Sequence, residues 1–394
     1  MFKKTLVAVA ALAAFGTVSA ANFTLYGTVD ESLVYDYSKT KVAGQEIEKS
    51  HSLGLASGYN SASKFGFKGT EDLGNGLKVG FRLENQFSAD DGQLTDGLLF
   101  RREASLSVYS DYGTLSMGRM GGVGSSAGTY DLVYLYADAF DGGDNAIFGV
   151  ASSARYDNMV TYQSPKFAGV QATVQYSFKT KGAESAQSSK NRQYAGAGVT
   201  GDFGPLGVVA AYEYNNYTAD DGIAQDGHAA YFGGNYDCGF AKTFALVQYF
   251  KGWDSAAEVS ASDVNEAFVK EIKKVMGAEW KGSVFSDGLK GYGLHLGSIV
   301  PVAGGDLTVG VYYVDAKLEN IRASQDFAVS VDGDVKYLGA SARYVYPLSK
   351  RTSVYGGAGL AQAKLDKVSV LGVSIDPETK TTVGQAYFGL THQF

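Results

Sequence analysis

From residue 21 onward no run of about 18 apolar residues occurs, yet apolar and polar side chains alternate with period two along most of the chain. In the first such segment Phe23, Leu25, Gly27 and Val29 fall on one face and Thr24, Tyr26, Thr28, Asp30 and Ser32 on the other. The last segment divides the same way, with Ala386, Phe388, Leu390 and Phe394 against Gln385, Tyr387, Thr391 and Gln393. This is the pattern of strands with two different environments. A soluble sandwich would alternate too, so the connections have to decide. Short turns stand at 74–76, 110–113, 164–169, 202–207, 237–241, 301–306 and 347–350; long polar loops stand near 38–60, 88–98, 121–154, 179–192, 215–227, 252–290, 317–334 and 365–382. Seven short and eight long connections join sixteen strands. Each strand then has the roughly 9–11 residues that a tilted membrane strand needs.

An even strand count with turns short on one side and long on the other predicts an all-β fold: a 16-stranded antiparallel transmembrane β-barrel with short periplasmic turns and long extracellular loops. Lipid offers no hydrogen-bond partners, so the sheet has to close and the end of the chain has to pair with the first strand. Composition agrees. The chain has 51 glycines and 5 prolines among 394 residues. Glycine permits bends and close backbone approach, whereas proline cannot donate to a strand ladder. All five prolines (165, 205, 301, 347 and 377) are expected in turns or loops, and the 27 tyrosines suit interfacial girdles.

Several function classes fall away. The net charge is −7 and no Lys/Arg run exceeds two residues, which argues against a nucleic-acid partner. Cys238 is the single cysteine, and His51, His228, His295 and His392 are scattered, so neither a metal nor another cofactor is expected. A membrane-embedded hydrolase would need a serine and a histidine together. Only His392 faces lipid by parity and no nucleophile stands beside it, so no enzyme is expected. Residues 1–20, MFKKTLVAVAALAAFGTVSA, read as a secretory signal peptide cleaved after Ala20 or Ala21. Residues 21–394 would form the barrel domain in the cell outer membrane.

FTLYGTVD at 23–30, SKFGFKGTEDLGNGLKVGF at 63–81, YGTLSMGRM at 112–120, RYDNMVTYQSPKFAGVQATVQY at 155–176 and the terminal Phe394 together resemble the general trimeric porins of Gram-negative outer membranes, in the branch of Neisseria and Burkholderia. The resemblance covers the mature chain. It implies a homotrimer in outer-membrane lipid, passive diffusion of small hydrophilic solutes and ions, and a third loop (121–154) folded into the lumen as a constriction. A solute-specific porin, or a surface adhesin or structural outer-membrane protein, is the alternative.

Parity assigns the lumen. Outward Leu77, Val79, Phe81 and Leu83 put Lys78, Arg82, Glu84 and Gln86 inside; Phe65 and Phe67 do the same for Lys64 and Lys68, and Ala104, Leu106 and Val108 for Arg101, Glu103 and Ser105. A lipid-facing Lys or Arg at mid-depth would cost about 2–4 kcal/mol, which favours this assignment. Arg119 breaks the alternation; since the resemblance places it in the pore, a bulge near Gly118 is expected. The third loop carries Asp131, Asp138, Asp141 and Asp144 with no Lys or Arg before Arg155. The resemblance matches YADAFDGGD at 136–144 to the acidic stretch of the constriction loop, although FDGG replaces the family's usual proline-glutamate-phenylalanine-glycine. The expected constriction is therefore Lys64, Arg82, Arg101, Arg119 and Arg155 on the wall with Asp131, Asp138 and Asp141 on the loop. Asp138 and Asp141 would oppose Lys64, Arg119 and Arg155 and set up a transverse field. Lys78, Glu84 and Glu103 are read as ordinary solvated wall charges. Tyr130, Tyr134, Tyr136 and Phe140 either narrow the eyelet or pin the loop. In the sixth loop, SDVNEAFVKEIKKVMG at 262–277 has helical spacing, with Asp263 and Glu266 as a capping box.

Overall fold

The computed structural model describes residues 22–394 except 127, 143, 145–153, 184–190, 218–222, 224, 257–258, 261–283, 324–329, 371–372 and 375–377. The expected signal peptide and the expected helix at 262–277 lie outside the described residues. Sixteen antiparallel strands follow one another around a closed barrel: β1 Thr24–Val42, β2 in two pieces (Gln45–Ser57 and Lys64–Gly74), β3 Leu77–Glu84, β4 Glu103–Ser110, β5 Gly113–Gly121, β6 Arg155–Gln163, β7 Val170–Ser177 and β8 Gln193–Phe203. The second half comprises β9 Leu206–Asn216, β10 Gly227–Asp237, β11 Lys242–Trp253, β12 Leu289–Val302, β13 Gly305–Ala323, β14 Ser330–Pro347, β15 Thr352–Val370 and β16 Thr379–Gln393. Closure is the pairing of β1 with β16, running from Thr28 opposite Gln393 to Val42 opposite Thr379. Gly27 and Phe394 complete it by exchanging both backbone hydrogen bonds at 3.0 Å. Among the described residues every strand is paired on both sides, as lipid requires.

The two faces are inverted relative to a soluble protein. Outward Leu25, Leu33, Leu106, Leu360 and Phe388 are exposed, whereas inward Thr28, Asp30, Ser32, Glu103, Ser105 and Ser107 are buried. Three expected loops are partly strand. The connection placed at 38–60 is a hairpin in which β1 and β2 continue to a turn at Ala43 and Gly44, both with positive φ (50° and 80°). Strands likewise run on into the segments 317–334 and 365–382. Beyond the membrane both faces meet water, so the apolar alternation stops while backbone pairing continues. Pro301 and Pro347 are not in loops either; they occupy rungs at the turn ends of β12 and β14.

The main apolar core is not between strands and lipid but between the third loop and the wall. Leu132, Val133, Tyr134, Ala137, Ala139 and Phe140 pack against inward residues that include Val209, Tyr231, Leu246, Tyr312 and Tyr337. The described residues of the loop include one short helix, α1 (Val133–Ala137). Its path is made possible by a track of wall glycines. A Cβ at Gly233 would stand 2.6 Å from the Ala137 Cβ, and one at Gly310 would stand 2.9 Å from the Phe140 ring. The glycine excess thus has a local use that composition alone did not reveal: it lets a loop lie flat on a sheet.

The expected bulge is present. The β5–β6 register shifts between Gly118 and Met120, and Gly118 has φ 134°, with a built Cβ only 2.0 Å from the Ala104 carbonyl oxygen. Gly118→Ala is expected to cost about 1–3 kcal/mol through this strain. Lower refolding yield and a lower temperature of barrel unfolding on gels would show it; an unchanged temperature would mean that the bulge tolerates a side chain.

Candidate pore constriction

Strands β2 to β6 carry the basic arc. Glu84, on β3, is its hub. Arg102 Nε donates to Glu84 Oε1 at 2.6 Å, and Tyr26 Oη and Arg82 Nη2 donate to Oε2 at 2.8 and 3.2 Å. Arg82 Nε also donates to Tyr26 Oη at 3.0 Å. Nearer the extracellular side, Arg101 Nε donates to Asp96 Oδ2 at 2.6 Å. Arg119, aimed inward by the bulge, donates to the Arg101 carbonyl at 2.8 Å and to Asp157 Oδ1 at 2.5 Å. Lys64 lies within charge-interaction range of Arg82, Arg102, Arg155 and Glu84, and Arg155 within range of Arg101, Arg102, Arg119 and Glu84. Neither Lys64 nor Arg155 has a carboxylate ion-pair partner among the described residues. The structure therefore brings Lys64, Arg82, Arg101, Arg119 and Arg155 together on one arc. Arg102 and Tyr26 join them unforeseen: Arg102 has the parity of lipid-facing Ala104 but precedes β4, and alternation places Tyr26 on the polar face of the first strand without a role in the constriction. Glu84 and Glu103 are buried bonding partners of the arc rather than solvated charges.

The acidic residues of the loop behave differently. Asp138 is 2% exposed, and its Oδ1 accepts from Tyr312 Oη at 2.9 Å and from the Phe140 amide at 2.8 Å. His295 Nε2 stands 3.4 Å from the same oxygen. That nitrogen accepts the Ala139 amide at 3.2 Å, so the proton sits on Nδ1, which donates to the Val311 carbonyl at 3.1 Å. The imidazole is accordingly neutral, and Asp138 is a hydrogen-bonded buried acid rather than half of an ion pair. Burial raises its carboxyl above the ordinary value. Asp144 is fully buried at the far end of the loop, bonded by Ser341 and by Tyr387 Oη at 2.7 Å. The expectation that Asp138 faces Lys64, Arg119 and Arg155 is corrected: the side chain turns to β12 and β13. The spacing of acids along the loop could not say which ones anchor it.

Asp131 is also buried, accepting the Tyr134 amide at 3.2 Å at the start of α1. Asp141 is exposed, at φ 52°. Burial, and next the charge of Asp141, push the Asp131 carboxyl well above its ordinary 3.8. A raised carboxyl stabilises the folded loop when protonated and loses that contribution as pH rises through its folded value. Asp131→Asn is therefore expected to unfold at a higher temperature than the parent at pH 7, with the gap closing toward pH 4. A gap constant with pH would exclude a buried charge there. Tyr130, Tyr134 and Phe140 are buried and pin the loop to the wall.

The loop crosses the lumen in a definite order. Thr129 bonds Arg82 and Glu103 at 3.0 and 2.7 Å, Tyr136 bonds Asp202 at 3.0 Å, and Asp144 reaches β14 and β16. It thus covers the wall from β8 round to β16, across from the basic arc. A cavity of about 690 Å³ lined by Asp96, Arg119, Arg155, Asp157, Lys181 and Arg192 opens on the extracellular side. Another of about 390 Å³, lined by Lys68, Arg82, Glu103, Thr129 and Tyr130, opens on the other.

Comparison with known proteins places this geometry. Residues 8–365 match the Gram-negative porin family. The chain is 30% identical over 390 residues to an outer membrane porin protein of Bordetella pertussis, covering 91% of this chain and 94% of that one. It is 29% identical over 378 residues to outer membrane porin protein 32 of Delftia acidovorans, covering 94% and 92%. An anion-selective porin from Comamonas acidovorans superposes with a TM-score of 0.62 at 25% identity, covering 95% of this chain and all of that one. A closed sixteen-stranded barrel with a loop inside it, matched along nearly its whole length to outer-membrane porins, makes this chain a member of the Gram-negative porin family.

Proposed function

We propose that this outer-membrane channel has its eyelet between loop 121–154 and the basic arc, and that the eyelet favours anions. One observation carries the second part: the loop's buried acids Asp131, Asp138 and Asp144 turn to the wall, which leaves Asp141 as its exposed acid among the described residues. On the facing arc Lys64, Arg82, Arg101, Arg102, Arg119 and Arg155 outnumber Glu84, Glu103, Asp96 and Asp157. Excess positive charge beside a narrow low-dielectric gap concentrates anions. The anion selectivity of the Comamonas porin supports the same reading.

The channel passes small hydrophilic solutes by diffusion and is not an enzyme, in keeping with its family. Three copies per assembly follow from the resemblance to trimeric porins, and export through residues 1–20 follows from their basic start, apolar middle and small-residue end. Purified protein in a planar bilayer is expected to give large ohmic steps that close in groups of three. Single, independent closures would contradict the trimer, and absence of steps would contradict the pore.

A further inference from the structure

Resting on the eyelet described above, we propose that residues 58–63, between the two pieces of β2, form its third side and hide the Asp30 carboxylate from passing ions. Ser57 stands opposite Glu31, and Lys64 opposite Thr28. Six residues of β2 therefore face two of β1, Val29 and Asp30, and four are surplus to the ladder. Gly58, at φ 85°, turns the surplus out of the sheet. It turns inward. The Asn60 side-chain amide donates to Thr391 Oγ1 at 2.9 Å, and the Tyr59 ring centroid stands 5.2 Å from that of Tyr387. Thr391 and Tyr387 are both on the buried, inward face of β16.

This inlay fills the one sector of wall that the loop and the arc leave between them. Loop 121–154 covers the wall from β8 round to β16, and the basic arc begins with Lys64 on β2. Between them lie β16, β1 and the start of β2. Tyr387 joins the two sides: its Oη donates to Asp144 Oδ1 at 2.7 Å at the far end of the loop, while its ring meets Tyr59. Lys64 directly follows Ser63, so the inlay runs from the last anchor of the loop to the first cation of the arc.

Asp30 is the post on which the inlay is built. Its side chain is fully buried; Oδ1 accepts from Tyr355 Oη at 2.7 Å and from the Asn60 backbone amide at 3.3 Å, and Oδ2 accepts from Thr391 Oγ1. Its backbone carbonyl accepts from the Gly58 amide at 3.0 Å and from Ser63 Oγ at 3.1 Å. Without the inlay this inward carboxylate would meet the water of the lumen. It sits diagonally across from Lys64, two residues along β1 from the lysine's partner Thr28, at a usual separation of about 7 Å. A carboxylate exposed there would offset the cation that begins the arc. The inlay takes that charge off the path of the ions while the wall keeps it as an anchor.

The test is a chain shortened by residues 59–62, in which Gly58 and Ser63 fall opposite Asp30 and Val29 and the ladder closes in register. Circular dichroism and gel mobility check the barrel. In proteoliposomes the shortened chain is expected to raise the entry of raffinose relative to arabinose at least roughly twofold, because the opening is wider. In planar bilayers its anion-to-cation permeability ratio is expected to fall roughly sevenfold, the effect in water of one unit charge about 7 Å from the ion. Adding Asp30→Asn to the shortened chain should return that ratio to the parent value while raffinose still enters faster. Tyr59→Gly with Asn60→Gly, which strips both pins in the full-length chain, should move both readouts in the same direction by less, and it decides the matter where the shortened chain forms no barrel. Parent-like raffinose entry would overturn the closing role. An unchanged permeability ratio, or a fall that Asp30→Asn does not reverse, would overturn the hiding of the carboxylate. A parent without conductance steps would instead contradict the pore itself.

Discussion

Neutralising Lys64 and Arg155 together, as Lys64→Gln with Arg155→Gln, should move the zero-current potential of the channel in a salt gradient toward the cation side. These two carry the argument because neither has a carboxylate ion-pair partner among the described residues, so their loss leaves no buried acid of the arc unpaired. Arg82, Arg102 and Arg119 each hold Glu84, Glu103 or Asp157. Removing one of them would mix a change of field with a change of structure. A unit charge about 4 Å from a passing ion is worth about 1 kcal/mol even in water, which raises the local anion concentration about fivefold and lowers that of cations as much, about a thirtyfold change in their ratio. Two charges lost at one eyelet should therefore abolish most of the anion preference, and the effect should shrink in concentrated salt as screening shortens. An unchanged potential would place both residues outside the path of the ions.

The second large effect concerns the loop's attachment. Asp138→Ala removes the acceptor for Tyr312 Oη and the Phe140 amide, groups buried between the loop and the wall. Each buried donor left without a partner costs about 1–3 kcal/mol. The strand ladders are untouched, so the barrel should remain folded while the loop loses its middle anchor and keeps those at its ends, where the Gly124 amide donates to Glu213 Oε1 on β9 at 3.0 Å and Tyr387 Oη donates to Asp144. Open-channel current should become noisy, with excursions to lower levels, and loop cleavage by added protease should accelerate several-fold. Quiet current at the parent level would show that the apolar contacts of Tyr134, Ala137 and Phe140 suffice to hold the loop.

The contrast between wall and loop explains what the sequence made legible. Strand positions obey parity because one face meets lipid and the other water, and a wrong assignment of Arg82 or Lys64 would be costly. The arc of basic residues was readable for that reason; Arg119, which breaks the alternation, is set inward by the resemblance alone, with a bulge supposed near Gly118, where the register does shift. Loop residues obey no such rule. Asp131, Asp138, Asp141 and Asp144 look alike in sequence, and which of them turns to the wall depends on partners more than 150 residues away, as with Asp138 and Tyr312. The hairpin extensions were missed for a related reason, since above the membrane a strand needs no apolar face. The wall glycines are the instructive case: their number was visible at once, but the alignment of Gly198, Gly233, Gly297 and Gly310 under Leu132, Ala137, Ala139 and Phe140 emerges only when the six strands β8 to β13 stand side by side.

The measurement closest to the central claim is the zero-current potential of the unmodified channel across a bilayer with unequal potassium chloride on its two sides. A basic arc facing a loop whose acids are turned to the wall predicts a potential of the sign set by chloride, diminishing as salt rises. A potential of the sign set by potassium, stable with salt, would contradict the account, because it would require the loop carboxylates to face the ions and the arginine arc to be neutralised.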